Sequence, residues 1–201
     1  MNLDILYIYR NIRYYIPSMI KFGIFGKVFK NQHIGKYFLV GKRTIIAKNF
    51  TAGNCVQIGA YSYIGPATKI GNFVLISDHV NIIGNDHEYK KVGVPCTLSG
   101  RPLDYLELET KIEDDVWIGH GVTILRGVQI GEGSIVASNS VVTKNIKSYS
   151  IYGGNPAKFI KTRFNDIDKK VHASFLEDFR NRKFILIHDD KPLYKFKKNK
   201  S

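Results

Sequence analysis

Cysteine occurs only twice in the 201 residues, at Cys55 and Cys96. Two thiols cannot build a disulfide framework or a cysteine cage for zinc, which points to a reducing, cytosolic setting and two inert thiols. Acidic side chains are scarce as well, 17 against 30 basic ones, leaving a formal net charge of +13. An excess of that size points to an anionic partner. Long apolar runs are missing too: no uncharged stretch approaches the roughly 18–20 residues that span a bilayer. Residues 1–20 are apolar and aromatic, but Asp4, Arg10 and Arg13 interrupt them. They read neither as a signal peptide nor as a membrane anchor. What is present is 44% hydrophobic and 23% charged residues, the balance of a globular chain rather than a disordered one.

The charge is unevenly placed. Residues 1–33 carry five basic residues and one acidic, residues 34–157 carry 12 and 10, and residues 158–201 carry 13 and 6. The middle is nearly neutral and the excess lies at the ends. A nucleic-acid binder could look like this. So could an enzyme that grips the phosphates of a cofactor near the start of its tail.

A period of six runs through the middle. Stepping by six from Ile34 gives Val40, Ile46, Ala52, Ile58, Ile64, Ile70, Ile76 and Ile82, and the series resumes at Ile112, Ile118, Ile124, Ile130, Val136 and Val142. Fourteen of these 15 slots are Ile or Val, which together make up about a fifth of the chain, so chance would fill only about three. The residue after the slot is usually small, as at Gly35, Gly59, Gly119 and Ala137. Two before it stands a second small or β-branched residue, as at Thr44, Val74, Val116 and Ser140.

A helix repeats every 3.6 residues and a plain strand every two; neither gives six. A short strand that turns a corner every six residues does. Alternation sends the slot and the residue two before it inward, and a glycine after the slot permits close corners and unusual dihedrals. Three faces, one hexad each, close a triangular coil, so nine hexads before the break make three coils and six after it make two. An antiparallel sandwich would instead need period-2 runs with turns every 8–12 residues.

This pattern resembles the hexapeptide-repeat acyltransferases, whose fold is a left-handed parallel β-helix. The most specific stretches are Asp115-Val-Trp-Ile-Gly-His-Gly-Val-Thr-Ile124, Val141-Val-Thr-Lys144 and Tyr152-Gly-Gly-Asn-Pro-Ala-Lys158. Within that family the chain looks most like bacterial O-acetyltransferases acting on polysaccharides and sugars, with xenobiotic (antibiotic) acetyltransferases as near kin. The resemblance implies an all-β fold of about five triangular coils, and its left hand runs against the usual right-handed crossover. The expected organisation is a helical cap over residues 1–33, the β-helix over 34–164 with a loop over 84–111, and a helical and basic tail over 165–201.

The break in the repeat is where chemistry is expected, because a loop of this length in a compact solenoid is usually functional. It opens with Asn85-Asp-His-Glu-Tyr89. Acyl transfer from a thioester to a sugar hydroxyl needs a base, and histidine, ordinarily titrating near pH 6.5, can take that proton and later return one to the departing thiolate. In the family a loop histidine at the position of His87 plays this part, and Asp86, Glu88 or a backbone carbonyl could orient the ring. No cysteine or serine stands beside a base in the loop, so transfer is expected to be direct. His79, Asn85 and Tyr89 are the candidate acceptor contacts, although His79 also reads as a plain corner residue. The six histidines form no compact metal-ligand set, so no metal is expected.

Coenzyme A has an amide-bearing arm and an anionic head. A solenoid edge offers backbone amides for the arm, with Gly119, Ala137 and Ser138 permitting close approach. The resemblance places His120 at the thiol end. It also puts Thr143, Lys144, Lys158 and Lys161 at the nucleotide end, where they can meet phosphates. Trp117 either packs near the arm, lies at a subunit contact or is structural.

At the flanks, Ile5, Ile8, Ile12, Ile16 and Ile20 have helical spacing and predict an amphipathic cap. Peripheral membrane contact through its basic residues is not expected. A C-terminal helix over 165–187 should bury Phe175, Leu176 and Phe179, and the basic stretch after it has no nucleic-acid-binding motif and reads as mobile or partner-dependent. The sequence thus predicts a cytoplasmic, acetyl-CoA-dependent O-acetyltransferase for a sugar or polysaccharide, with no nucleic-acid partner. The resemblance makes it a homotrimer. The alternatives are an N-acetyltransferase for a nucleotide-linked amino sugar, an antibiotic acetyltransferase and a non-catalytic β-helix subunit.

Overall fold

The computed structural model describes residues 33–35, 37–47, 49–84, 87–102 and 108–181, with the backbone of two further strands at 184–187 and 195–198. The cap expected over 1–33 falls almost wholly outside these residues, as do Asn85 and Asp86. Two compact units are present, one within residues 17–163 and one that takes in the chain from Phe164 onward.

The first unit is a three-sided parallel solenoid. Sheet 1 runs β1 (Leu39–Val40), β4 (Gln57–Ile58), β7 (Leu75–Ile76), β10 (Trp117–Ile118), β13 (Ile135–Val136), β15 (Ser150–Gly153) and β16 (Lys158–Thr162). Sheet 2 runs β2 (Ile45–Ile46), β5 (Tyr63–Ile64), β8 (Asn81–Ile82), β11 (Thr123–Ile124) and β14 (Val141–Val142). Sheet 3 runs β3 (Thr51–Ala52), β6 (Thr68–Ile70), β9 (Thr110–Ile112) and β12 (Gln129–Ile130), extended by bridges from Ile34 to Ala52 and from Ile130 to Ile146. The five strands of sheet 2 count the five expected coils.

Every slot lands on its counterpart one coil away: Val40 pairs with Ile58, Ile46 with Ile64 and Ala52 with Ile70. The slots form the core, Ile64, Ile82, Ile118, Ile124 and Ile130 each having no exposed surface. The residues two before them are buried with them, including Val56, Val80 and Val122. Where that position is polar, the hydroxyl is satisfied inside: Thr44 donates to Gly59 O at 2.7 Å and Ser134 to Lys147 O at 2.7 Å. Such pairing removes the cost of burying a hydroxyl.

The corners differ from expectation in one respect. The left-handed backbone lies three residues after the slot, not one: Tyr61, Ala67, His79, Asp115 and Asn139 all have φ between 52° and 59°. That conformation turns the amide along the solenoid axis, so Tyr61 N–H reaches Lys42 O at 2.9 Å and His79 N–H reaches Ala60 O at 2.9 Å. The glycine after the slot answers a different demand. A Cβ at Gly65 would stand 2.5 Å from Ile82 O in the adjoining coil, and one at Gly119 would stand 2.6 Å from Ser138 N.

The solenoid ends by shortening a corner. After Val142 the register falls two positions short of three full hexads, pairing Ile130 with Ile146 and Val136 with Tyr152. The Gly153-Gly-Asn-Pro-Ala157 segment then folds across β14: Val141 N–H donates to Gly154 O at 3.0 Å and Ala157 N–H donates to Val141 O at 2.8 Å. The Val141 amide and carbonyl on the last strand are thereby satisfied. Strand β16 returns antiparallel on β15, and Arg163 at its end donates to Asp115 Oδ2 at 2.6 Å and Gly133 O at 2.9 Å.

In the second unit, helix α2 spans Asp166–Arg180; a short α1 lies in the loop of the solenoid at Cys96–Ser99. Asn165 caps α2, its side chain accepting from Asp168 N–H at 2.9 Å. Leu176 is buried and Phe175 and Phe179 are half-buried. The helix does not extend to residue 187 as the sequence suggested. Strands β17 (Phe184–Ile187) and β18 (Lys195–Lys198) instead form an antiparallel ladder. Phe-Ile-Leu-Ile is a β-branched and aromatic run, so strand propensity prevails there over helical spacing.

Candidate functional site

The chain leaves the solenoid after β8, at the corner between sheets 2 and 3, and re-enters at β9. Two contacts tie the loop's opening to its far side. Glu88 N–H donates to Gly100 O at 3.0 Å, and the Ser99 hydroxyl bonds Glu88 O. Lys91 Nζ adds a bond to Ser99 O at 3.0 Å. These clamps flank His87, whose side chain is exposed at the root of the loop. Glu88 Oε1 accepts from Lys90 N–H at 2.7 Å within its own turn. Tyr89 points to solvent and is 75% exposed.

A second group of side chains occupies the corner between sheets 1 and 2. Successive coils place Lys42 and Arg43, then Tyr61, then Asp78 and His79, then His120 on this edge. The Tyr61 and His79 rings are stacked, 5.1 Å between centroids and 7° between planes, and His79 meets His120 edge to face at 5.2 Å. Lys42 Nζ and Arg43 Cζ lie 5.4 and 5.8 Å from the Tyr61 centroid. Asp78 Oδ1 is held by Ala60 N–H at 2.6 Å. Lys42, Arg43 and Tyr61 escaped the sequence reading. A step of three hexads from His79 back to Tyr61, and again to Arg43, was the available signal.

The cofactor candidates divide among three places. Gly119, His120, Ala137 and Ser138 share the edge just described, Thr143 and Lys144 lie at the next corner, and Lys158 and Lys161 are on β16. His120, Ser138, Thr143 and all three lysines are exposed, while Gly119 is buried. The edge amides are not all available to a ligand as expected. Gly119 N–H donates to Val136 O and Ala137 N–H to Tyr152 O, both at 2.8 Å, because inter-coil pairing uses them. Trp117 stands on the outer face of sheet 1 between Leu75 and Ile135, 49% exposed. Cys55 is half-buried, and desolvation pushes its thiol up to about 11. Among the described residues no helix is long and apolar enough to cross a membrane.

Residues 109–144 match the profile of the bacterial transferase hexapeptide (six repeats) family. Over 118 residues the chain is 42% identical to a probable macrolide acetyltransferase of Lysinibacillus sphaericus, covering 53% of this chain and 66% of that one. Chloramphenicol acetyltransferases match over shorter stretches, of which 27–28% of their own length is covered. The chain thus spans less than two thirds of the length of these relatives. Among solved structures, a hexapeptide-repeat-containing acetyltransferase of Vibrio cholerae complexed with acetyl coenzyme A has a TM-score of 0.58 at 28% identity, over 66% of this chain and 72% of that one. A maltose O-acetyltransferase of Clostridium difficile has a TM-score of 0.58 at 26% identity, over 68% and 72%. Repeat, coil stacking, profile and relatives agree: residues 109–144 carry the bacterial transferase hexapeptide repeat, and the chain is similar to hexapeptide-repeat acetyltransferases.

Proposed function

We propose that the protein transfers an acetyl group from acetyl-CoA to a hydroxyl of a sugar or polysaccharide, in the cytoplasm and as a homotrimer. The observation that carries this reading is the exposed His87 at the root of a loop ejected from an otherwise unbroken hexapeptide solenoid. The acceptor O–H gives its proton to the imidazole as oxygen attacks the thioester carbonyl. The tetrahedral oxyanion collapses, the C–S bond breaks, and the thiolate takes the proton back from the imidazolium. Lys144, Lys158 and Lys161 are the groups offered to coenzyme A phosphates, and lysine there supplies charge without a bidentate fork. The maltose O-acetyltransferase likeness and the acetyl-CoA complex of the Vibrio relative support sugar and donor. The exposed Leu75 and Trp117 on sheet 1 support subunit contact.

A second reading, acetylation of an antibiotic, has the 42% identity to the macrolide enzyme behind it. Thiol release from acetyl-CoA, measured against glycans, amino sugars, macrolides and chloramphenicol, separates the two. Release driven by a glycan supports the first; release driven only by a drug moves the protein to the second.

A further inference from the structure

The edge bearing Lys42, Arg43, Tyr61, His79 and His120 is a continuous row of exposed polar groups, one level per coil. Its backbone is fixed by one repeated bond. Tyr61 N–H binds Lys42 O, His79 N–H binds Ala60 O, and Gly121 N–H binds Asp78 O, at 2.9 to 3.0 Å. Because Tyr61 and His79 stack face to face, each covers one face of the other. The row carries a phenol O–H and ring nitrogens rather than an open aromatic platform.

At its lower end the row does something unfavourable on its own. Lys42 and Arg43 bring two positive heads to within 6 Å of one tyrosine ring. Among the described residues neither meets a carboxylate. The ring quadrupole attracts each cation, but the two repel one another. An anion bridging them would remove that repulsion and add charge-assisted hydrogen bonds. Asp78, the acidic group on this edge, stands a coil or more away with one oxygen already engaged by Ala60 N–H, so it leaves the cation pair unneutralised.

We propose that this edge is the acceptor track, and that the acceptor is an extended glycan bearing an acidic group. The inference rests on the acetyltransferase reading given above. Lys42 and Arg43 hold a carboxylate or phosphate, Tyr61 and His79 bond the chain along the row, and His120 marks the end near the donor. Because His87 of the same chain sits at the next corner, the base for this track is His87 of an adjoining copy in the proposed trimer. At ~4.8 Å per coil, the cation pair lies three coils, roughly 14 Å, from the His120 level. That span suits an oligosaccharide reaching along the solenoid and exceeds what one sugar ring covers.

Titration calorimetry of the full chain without acetyl-CoA tests the track directly. The probes are oligogalacturonate for carboxylate, poly(glycerol phosphate) for phosphate, and maltoheptaose as the neutral control. One anionic probe should bind in a salt-sensitive way, and which one identifies the acid. Lys42→Gln with Arg43→Gln should weaken it about tenfold while coenzyme A affinity and far-ultraviolet dichroism hold. Equal binding of maltoheptaose, or no effect of the double substitution, overturns the track. Thiol release keeps the two readings apart. Probe binding that needs Lys42 and Arg43 with no release from any acceptor sustains the track and removes the transferase reading. Release with charge-indifferent binding removes the track alone.

Discussion

Ile112 lies directly over Ile70 in the next coil although seven hexads separate them, whereas Ile70 lies over Ala52 at a separation of three. The excess is four whole hexads, and Ile76 with Ile118 and Ile82 with Ile124 repeat it. The loop is therefore an insertion into a corner that the coils do not notice.

Deleting residues 85–108 leaves Ile83, Gly84, Glu109, Thr110 and Lys111 between two slots, as many as an uninterrupted hexad has. The shortened chain should fold, with far-ultraviolet dichroism and urea midpoint close to those of the parent, because ordering a long loop adds little to the stability of the coils it joins. Acetyl transfer should vanish. A deletion variant that aggregates or loses its strand signal would mean the loop supports the solenoid.

The deletion can be designed from sequence alone because the slots were legible: Ile or Val at every sixth position has one economical explanation, and each such slot described is buried or half-buried. The corners were less legible. Small residues after the slot suggested special dihedrals, yet the left-handed backbone falls two residues later, at positions held more often by residues such as Tyr, Phe, His, Asp and Asn than by Gly. The edge row was hidden for a related reason. Tyr61 and His79 are three hexads apart, but the next level is seven hexads on and its equivalent position is Gly121, with the histidine one position earlier at His120. The terminal ladder was missed because Phe184–Ile187 lies beyond the repeat, where no period guides the reading.

Those corner roles make opposite predictions within one turn, Gly65-Pro66-Ala67. Gly65→Ala places a methyl 2.5 Å from Ile82 O, a backbone atom held by the adjoining coil. It should destabilise by about 1–3 kcal/mol, the usual cost of overpacking. Ala67→Gly relieves a φ of 52° but frees the unfolded chain, two effects of about 1 kcal/mol each and opposite sign. Urea midpoints should show a marked loss for the first and near neutrality for the second. The reverse order would restore the dihedral role to the glycine.

Thiol chemistry follows from burial. Thiolate is the reactive form, and the Cys55 thiol is pushed up to about 11 from 9.0 by desolvation, whereas Cys96 is exposed in the loop. At pH 8 the native protein should titrate one thiol with Ellman's reagent, and two in denaturant. The fold prefers neutral Cys55, so this contribution is intact below pH 9 and is lost as pH rises from 9 to 11, where the unfolded thiol ionises first. Rapid native labelling of both thiols would show that the coil around Cys55 opens.

The sharpest separation of roles concerns His87 and Glu88. A general base contributes ~10²–10⁴-fold, so His87→Ala should lower turnover by that range while acetyl-CoA still binds, because the lysines assigned to its phosphates lie on other elements. Glu88→Gln keeps an oxygen for Lys90 N–H and removes only the charge. If the carboxylate serves its own turn, turnover and its pH profile should stay as in the parent. If it orients the imidazolium, turnover falls and the acidic limb of the profile moves. Thiol-release rates for the two variants across pH 5 to 9 decide both points. Unimpaired turnover in His87→Ala would remove the base from this loop altogether.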